Sequence, residues 1–321
     1  MMRLPITILL VLVATVPAFA QAPPERTLTP SILRVGKWAE GIASDGKALW
    51  VAESGQRSIV QIAGTGTIQR RLTIGRLPVG MAALPDGRVH ALVHTDRIVW
   101  QQPGTGAGRK LATLADCPQG LAASAQALWA LTLSNCSSVD SQAVRIDPAS
   151  GAQATTAKLG EWAQAIAAAH GKVWVSHARG DRMSIIDPQS LAIERTTVRG
   201  AELWALASNR TSLLAGGRIA GTMDQGLIVS IDPRDRAETG RLRVDELIMT
   251  LVADDDTLVA LGDKGTIWIV ATKDFTLRGK INLGVGTYRP SSALIHDGKL
   301  VVVAQQYQGE NGAVFTLTDW R

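Results

Sequence analysis

Five histidines, His90, His94, His170, His177 and His296, are the side chains of this 321-residue chain best suited to proton transfer or metal ligation near neutral pH. His177 ends the run Val173-Trp174-Val175-Ser176-His177, and Glu53 ends Leu49-Trp50-Val51-Ala52-Glu53 in the same register. His94 follows a comparable apolar run, whereas His90, His170 and His296 fall inside such runs or in the turns between them. Two imidazoles and a carboxylate could ligate a divalent metal, or act as acid and base, only if three distant segments met at one point. No Gly-x-Ser-x-Gly elbow and no Cys-x-x-Cys-His haem motif occurs. The glycine runs Gly64-Thr65-Gly66 and Gly104-Thr105-Gly106-Ala107-Gly108 precede no helical pattern, so they read as hairpin turns rather than phosphate loops.

The aromatic balance points to a ligand surface, with nine tryptophans against three phenylalanines. Trp50, Trp129 and Trp174 share one position in apolar runs and read as core. Trp38 and Trp162 share another, just before a small-residue strand, with Trp204 close by. Glu40, Gln119 and Gln164 stand beside that position. Indole faces for stacking, with amides and a carboxylate to fix orientation, suit a peptide, protein or small-molecule ligand.

The first residues carry the pattern of a secretory signal. Arg3 supplies a basic n-region, Pro5 to Val16 an apolar stretch too short to span a membrane comfortably, and Ala18-Phe19-Ala20 a cleavage site. The expected organisation is a signal peptide over 1–20, an N-terminal extension over 21–27 and one domain over 28–321. The product should be periplasmic or secreted, with no membrane insertion after cleavage. Losing Arg3 and no acid takes the net charge from +5 to +4. The basic residues recur along outer-strand segments (Arg70, Arg71, Arg195, Arg241, Arg243, Arg278, Lys280), which suits edge protection and excludes a nucleic-acid footprint. Cys117 and Cys136, the only cysteines, should pair in such an oxidising compartment.

Those residues are positioned by a repeat. Val35-Gly36-Lys37-Trp38-Ala39-Glu40-Gly41-Ile42-Ala43 matches Ile74-Gly75-Arg76-Leu77-Pro78-Val79-Gly80-Met81-Ala82, and the pattern returns from Leu114, Leu159, Val198, Val244 and Leu283. A second anchor recurs at Trp50, His90, Trp129, Trp174, Leu214, Val259 and Val301, giving a period near 42 residues. Third strands follow, then hairpins opened by Asp147-Pro148, Asp187-Pro188 and Asp232-Pro233. Short strands at that period predict an all-β, seven-bladed β-propeller of four-stranded antiparallel blades. The seventh unit ends one strand short, so Leu28 to Val35 should close the ring. Blades three, five and seven need 16 or 17 residues from the second anchor to the end of the third strand, where the others need 10 to 12. The extra chain carries Asn135, Arg218, Asp224, Gln306, Tyr307 and Glu310 to one face, which is taken as the working face.

The repeated Asp45-Gly46-Lys47-Ala48-Leu49-Trp50-Val51 block and the Ile-Asp-Pro hairpins resemble those of exported YVTN- and NHL-type propellers and, more loosely, the virginiamycin B lyase-like group. The resemblance spans residues 28 to 320 and implies a blade architecture, not a reaction. The YVTN tetrapeptide is absent, and no local motif places the lyase family's catalytic histidines. The expected function is therefore a binding or scaffold propeller, probed at Trp38, Glu40, Glu53, His94, Gln119, Trp162, Gln164, His177, Trp204, Arg218 and Tyr307, with no catalytic residue assigned. It is expected to be monomeric and to need no cofactor. The alternatives are a metal-assisted lyase or lactonase using Glu53, His94 or His177 at the channel mouth, and an accessory subunit of a periplasmic redox complex.

Overall fold

The computed structural model describes residues 25–137, 140–283, 288–306 and 309–321. The expected signal segment and cleavage site lie outside these. The described strands form seven sheets, five of them built only from antiparallel neighbours consecutive in sequence, while the sixth and seventh each take in a strand from the N-terminal part of the chain. The inner strands of blades one to seven are Ala39–Ser44, Pro78–Ala83, Cys117–Ala123, Ala163–Ala169, Ala201–Ser208, Ile248–Ala253 and Tyr288–His296. The Ala-rich stretch after Gln164 is strand, because alanine's small side chain fits the crowded centre of the ring.

Ring closure follows the expectation with a shifted register. Ser31–Lys37 pairs antiparallel with Asn311–Leu317, matching Ile32 to Phe315 and Leu33 to Val314, and so supplies the fourth strand of blade seven. One element was not foreseen. Glu25–Thr27, within the expected extension, pairs parallel with Leu277–Asn282 and gives blade six a fifth strand. The Lys280 strand is therefore covered, not an open edge.

Cores form between blades, as a repeat architecture demands. Leu92 and Val99 of blade two pack with Leu128, Ala130 and Ile146 of blade three. Trp50, Trp129 and Trp174 are wholly buried. The Asp-Pro hairpins hold through their carboxylates: Asp147 Oδ1 accepts the Ser150 N–H at 2.7 Å, and Asp187 Oδ1 the Ser190 N–H at 2.9 Å. These hydrogen bonds keep both carboxyls well below the usual range. Cys117 and Cys136 form a disulfide that ties the start of blade three's inner strand to the turn after its second. Among the described residues no helix is long and apolar enough to cross a membrane.

Candidate functional site

Each inner strand breaks register with its neighbour once, at the same place. The pairing skips after Ala39, Pro78, Pro118, Ala163, Leu203, Ile248 and Pro290. A β-bulge re-aims the inserted side chain. The residue before each break is buried, and the inserted residue is half-buried. The inserted residues are Glu40, Val79, Gln119, Gln164, Trp204, Met249 and Ser291, a seven-membered ring near the channel mouth on the long-loop face. Two of its members touch, Gln119 Nε2 donating to Gln164 Oε1 at 3.2 Å, and Ser291 Oγ donates to the carbonyl of Ala39, the residue before Glu40, at 2.8 Å. The ring gathers four residues singled out from sequence, Glu40, Gln119, Gln164 and Trp204. It adds Val79, Met249 and Ser291, whose types carry no signal of their own.

Trp38 and Trp162 stand just outside the ring with left-handed backbones, φ 52° and φ 60°. The Trp38 and Trp162 carbonyls accept the N–H groups of Ser54 and Ala178, closing the reversal between adjoining strands. Gly200 of blade five accepts the Ala220 N–H in the same way, with φ 68°. Glycine takes this conformation freely, whereas a bulky side chain does so at a cost of about 1 kcal/mol. Trp38 is nevertheless 42% exposed, so little packing offsets that cost. Arg179 lies over the Trp162 ring, 3.9 Å from its centre.

The extra residues of blades five and seven build walls rather than loose loops. In both, the ladder between the first two strands runs two pairs beyond the position where blade one stops, adding Ala201↔Ile219 and Glu202↔Arg218 in one and Tyr288↔Gln306 and Arg289↔Gln305 in the other. Arg218 Nε donates to Glu202 Oε2 at 2.5 Å and its guanidinium lies 5.9 Å from the centre of the Trp204 ring. Arg289 donates to Met249 Sδ at 3.5 Å. Burial pushes the Glu40 carboxyl above its ordinary value, against the opposing influence of the Gln305 hydrogen bond and the Arg289 charge. Arg289 and Gln305 were not among the sequence candidates, although their place in the longest units was the available signal.

Three candidates serve the blades themselves. Glu53 is fully buried, accepting from the Gly36 N–H at 2.7 Å, the Ser58 hydroxyl at 2.7 Å and the Arg71 guanidinium at 2.6 and 2.9 Å. Although burial opposes it, these partners hold the carboxyl below its ordinary range. His177, also fully buried, has Nδ1 at 2.8 Å from the Glu161 carbonyl and Nε2 at 2.9 Å from Ser184 Oγ, and burial depresses its basicity. His94 Nδ1 lies 2.6 Å from the Pro118 carbonyl. Among the described residues no three His, Cys, Asp or Glu side chains gather where a metal could be held. Tyr307 lies outside the described residues.

No protein-family model and no curated protein sequence matches the chain. Solved structures do. Virginiamycin B lyase from Staphylococcus aureus, in a catalytically inactive variant with quinupristin, is similar at TM-score 0.73 and 12% identity, over 90% of this chain and 99% of that one. U3-55K is similar at TM-score 0.71 and 12% identity over 90% and 98%, and the RRP9 WD40 repeats at 0.70 and 11% over 90% and 99%. At these identities the likeness is one of fold: this chain shares the seven-bladed propeller of a lyase and of WD40 proteins.

Proposed function

We propose that this chain is an exported binding or scaffold propeller that holds a protein, peptide or small-molecule ligand at the long-loop mouth, without catalysis. The observation that carries the reading is the bulge repeated in all seven inner strands, which turns Glu40, Gln119, Gln164 and Trp204 to a common opening. Trp38 and Trp162 support it by keeping bulky aromatics where the backbone favours glycine. The two glutamines offer amides to a polar ligand, the indoles offer flat apolar faces, and Arg218 and Arg289 flank them with guanidinium groups. Export is supported by the signal pattern at residues 1–20 and by the disulfide. The commitment of Glu53 and His177 to partners inside their blades favours binding over the lyase or lactonase alternative, which would need those groups free.

The test is a ligand screen by thermal shift on the mature chain from Gln21, covering peptides, sugars and small organic ions. Every hit is then titrated against Gln119→Ala/Gln164→Ala and Asp232→Ala variants. At least tenfold weaker binding to the first variant, with parental binding to the second, supports the reading. A screen in which no hit is weakened by the mouth substitutions refutes it.

A further inference from the structure

Three tryptophans at one blade position meet different fates. Trp50, Trp129 and Trp174 are all fully buried in second strands. Trp50 Nε1 donates to Asp45 Oδ2 at 2.8 Å, and Trp174 Nε1 to the Ala169 carbonyl at 3.2 Å. Among the described residues Trp129 Nε1 has no acceptor. A buried N–H left unpaired is costly and calls for a reason.

Comparing the blades supplies one. The residue five places before the tryptophan is Asp45 in blade one and Ser124 in blade three. Ser124 keeps the turn, since its N–H donates to the Ala127 carbonyl as that of Asp45 does to Ala48, and its Oγ accepts the Ala127 N–H at 3.1 Å. The carboxylate that would reach the indole is gone. In its neighbourhood a cleft of about 340 Å³ opens between blades three and four on the short-hairpin face, walled by Ser124, Gln126, Trp129, Arg145, Asp147 and Gln189. Arg145 pairs with Trp129 across the ladder. It gives one hydrogen bond to the Pro188 carbonyl at 2.7 Å and enters no ion pair among the described residues, so guanidinium donors remain. Asp147, the acid in the wall, spends Oδ1 on the Ala149 and Ser150 amides and the Ser150 hydroxyl.

We propose that this cleft binds a carboxylate, one oxygen accepting the Trp129 N–H as Asp45 Oδ2 accepts that of Trp50, the other meeting the Arg145 guanidinium. A planar fork of donors beside a single N–H matches a carboxylate's two oxygens. The volume suits a short acid or one acidic side chain. The site is on the face opposite the bulge ring and stands independently of the function proposed for that ring.

Nitrogen-15 indole spectra of the mature chain test it. Loss of one resonance in Trp129→Phe assigns Trp129, and the parent is titrated with acetate, propionate, succinate and a blocked aspartyl peptide at constant ionic strength. The expected result is a saturable shift of the Trp129 resonance while that of Trp50 stays fixed. Ser124→Asp should move the Trp129 resonance without ligand and weaken the response at least tenfold, and Arg145→Gln should weaken it comparably. Tighter binding of the free acids assigns the site to small molecules, and tighter binding of the peptide assigns it to a protein side chain. A Trp129 resonance that does not respond, that shifts without saturating, or that responds undiminished in Ser124→Asp overturns the proposal.

Discussion

His90 should make this protein lose stability in mild acid. It occupies the position of Trp50, Trp129 and Trp174 in blade two and is fully buried. Its Nε2 lies 3.1 Å from the Gln101 amide nitrogen, while Arg109 holds the Gln101 oxygen at 2.9 Å. The amide therefore presents its NH₂ to the ring, Nε2 accepts, and the imidazole is neutral. Burial, reinforced by the Arg88 charge, lowers its pKa from 6.5 to about 4. The unfolded chain takes up the proton below pH 6.5 and the folded chain only near 4, so this contribution is complete above 6.5 and declines as pH falls toward 4. At about 1.4 kcal/mol per pH unit, the limit is about 3.5 kcal/mol, with about 2.5 kcal/mol lost by pH 4.5. The assay is urea unfolding of the parent and His90→Gln from pH 7.5 to 4.5. Other titrating groups act in both proteins, so the difference between their slopes isolates His90. The parent should lose about 2.5 kcal/mol more than the variant across that range, and parallel slopes would refute the reasoning.

Four further outcomes follow from the fold. Replacing Cys117 and Cys136 with serine opens a loop whose ends are 19 residues apart and should cost about 3 kcal/mol, read by denaturant melts with and without reductant. Trp38→Gly should change stability by no more than about 1 kcal/mol, because relief of a left-handed backbone offsets lost contacts of a 42% exposed side chain. Trp50→Ala should cost about 3 to 5 kcal/mol in the same urea assay. A chain beginning at residue 28 lacks the fifth strand of blade six and should stay folded, while one beginning at residue 38 loses the closing strand of blade seven and should aggregate, as size-exclusion chromatography would show.

The architecture was legible because a blade demands the same residue types at the same spacing. Trp50, Trp129 and Trp174 fill equivalent space, and the Asp-Pro pairs make equivalent turns. The ring at the mouth was only half legible, since a bulge is a register shift and register leaves no mark in residue type. Glu40, Val79, Trp204 and Met249 occupy one structural position and share no chemistry. Trp204 looked like a partner of Trp38 because it lies near it in the repeat. The two-pair extension of blade five moves it to the position of Glu40, and Gly200 takes the left-handed turn. Glu53 and His177 do hold one register, but that register buries them among hydrogen-bond partners. Glu25–Thr27 pairs in parallel on a sheet edge, and a three-residue segment is too short to show a strand pattern in sequence.

Amide hydrogen exchange, with and without a ligand from the thermal-shift screen that carries no carboxylate, tests the binding face most directly. Exchange should slow at residues 38–41, 117–120, 162–165, 202–205 and 288–291, and stay unchanged in the hairpins at 149–151, 189–191 and 234–236. Protection confined to the hairpins, with the inner-strand bulges unaffected, would contradict it.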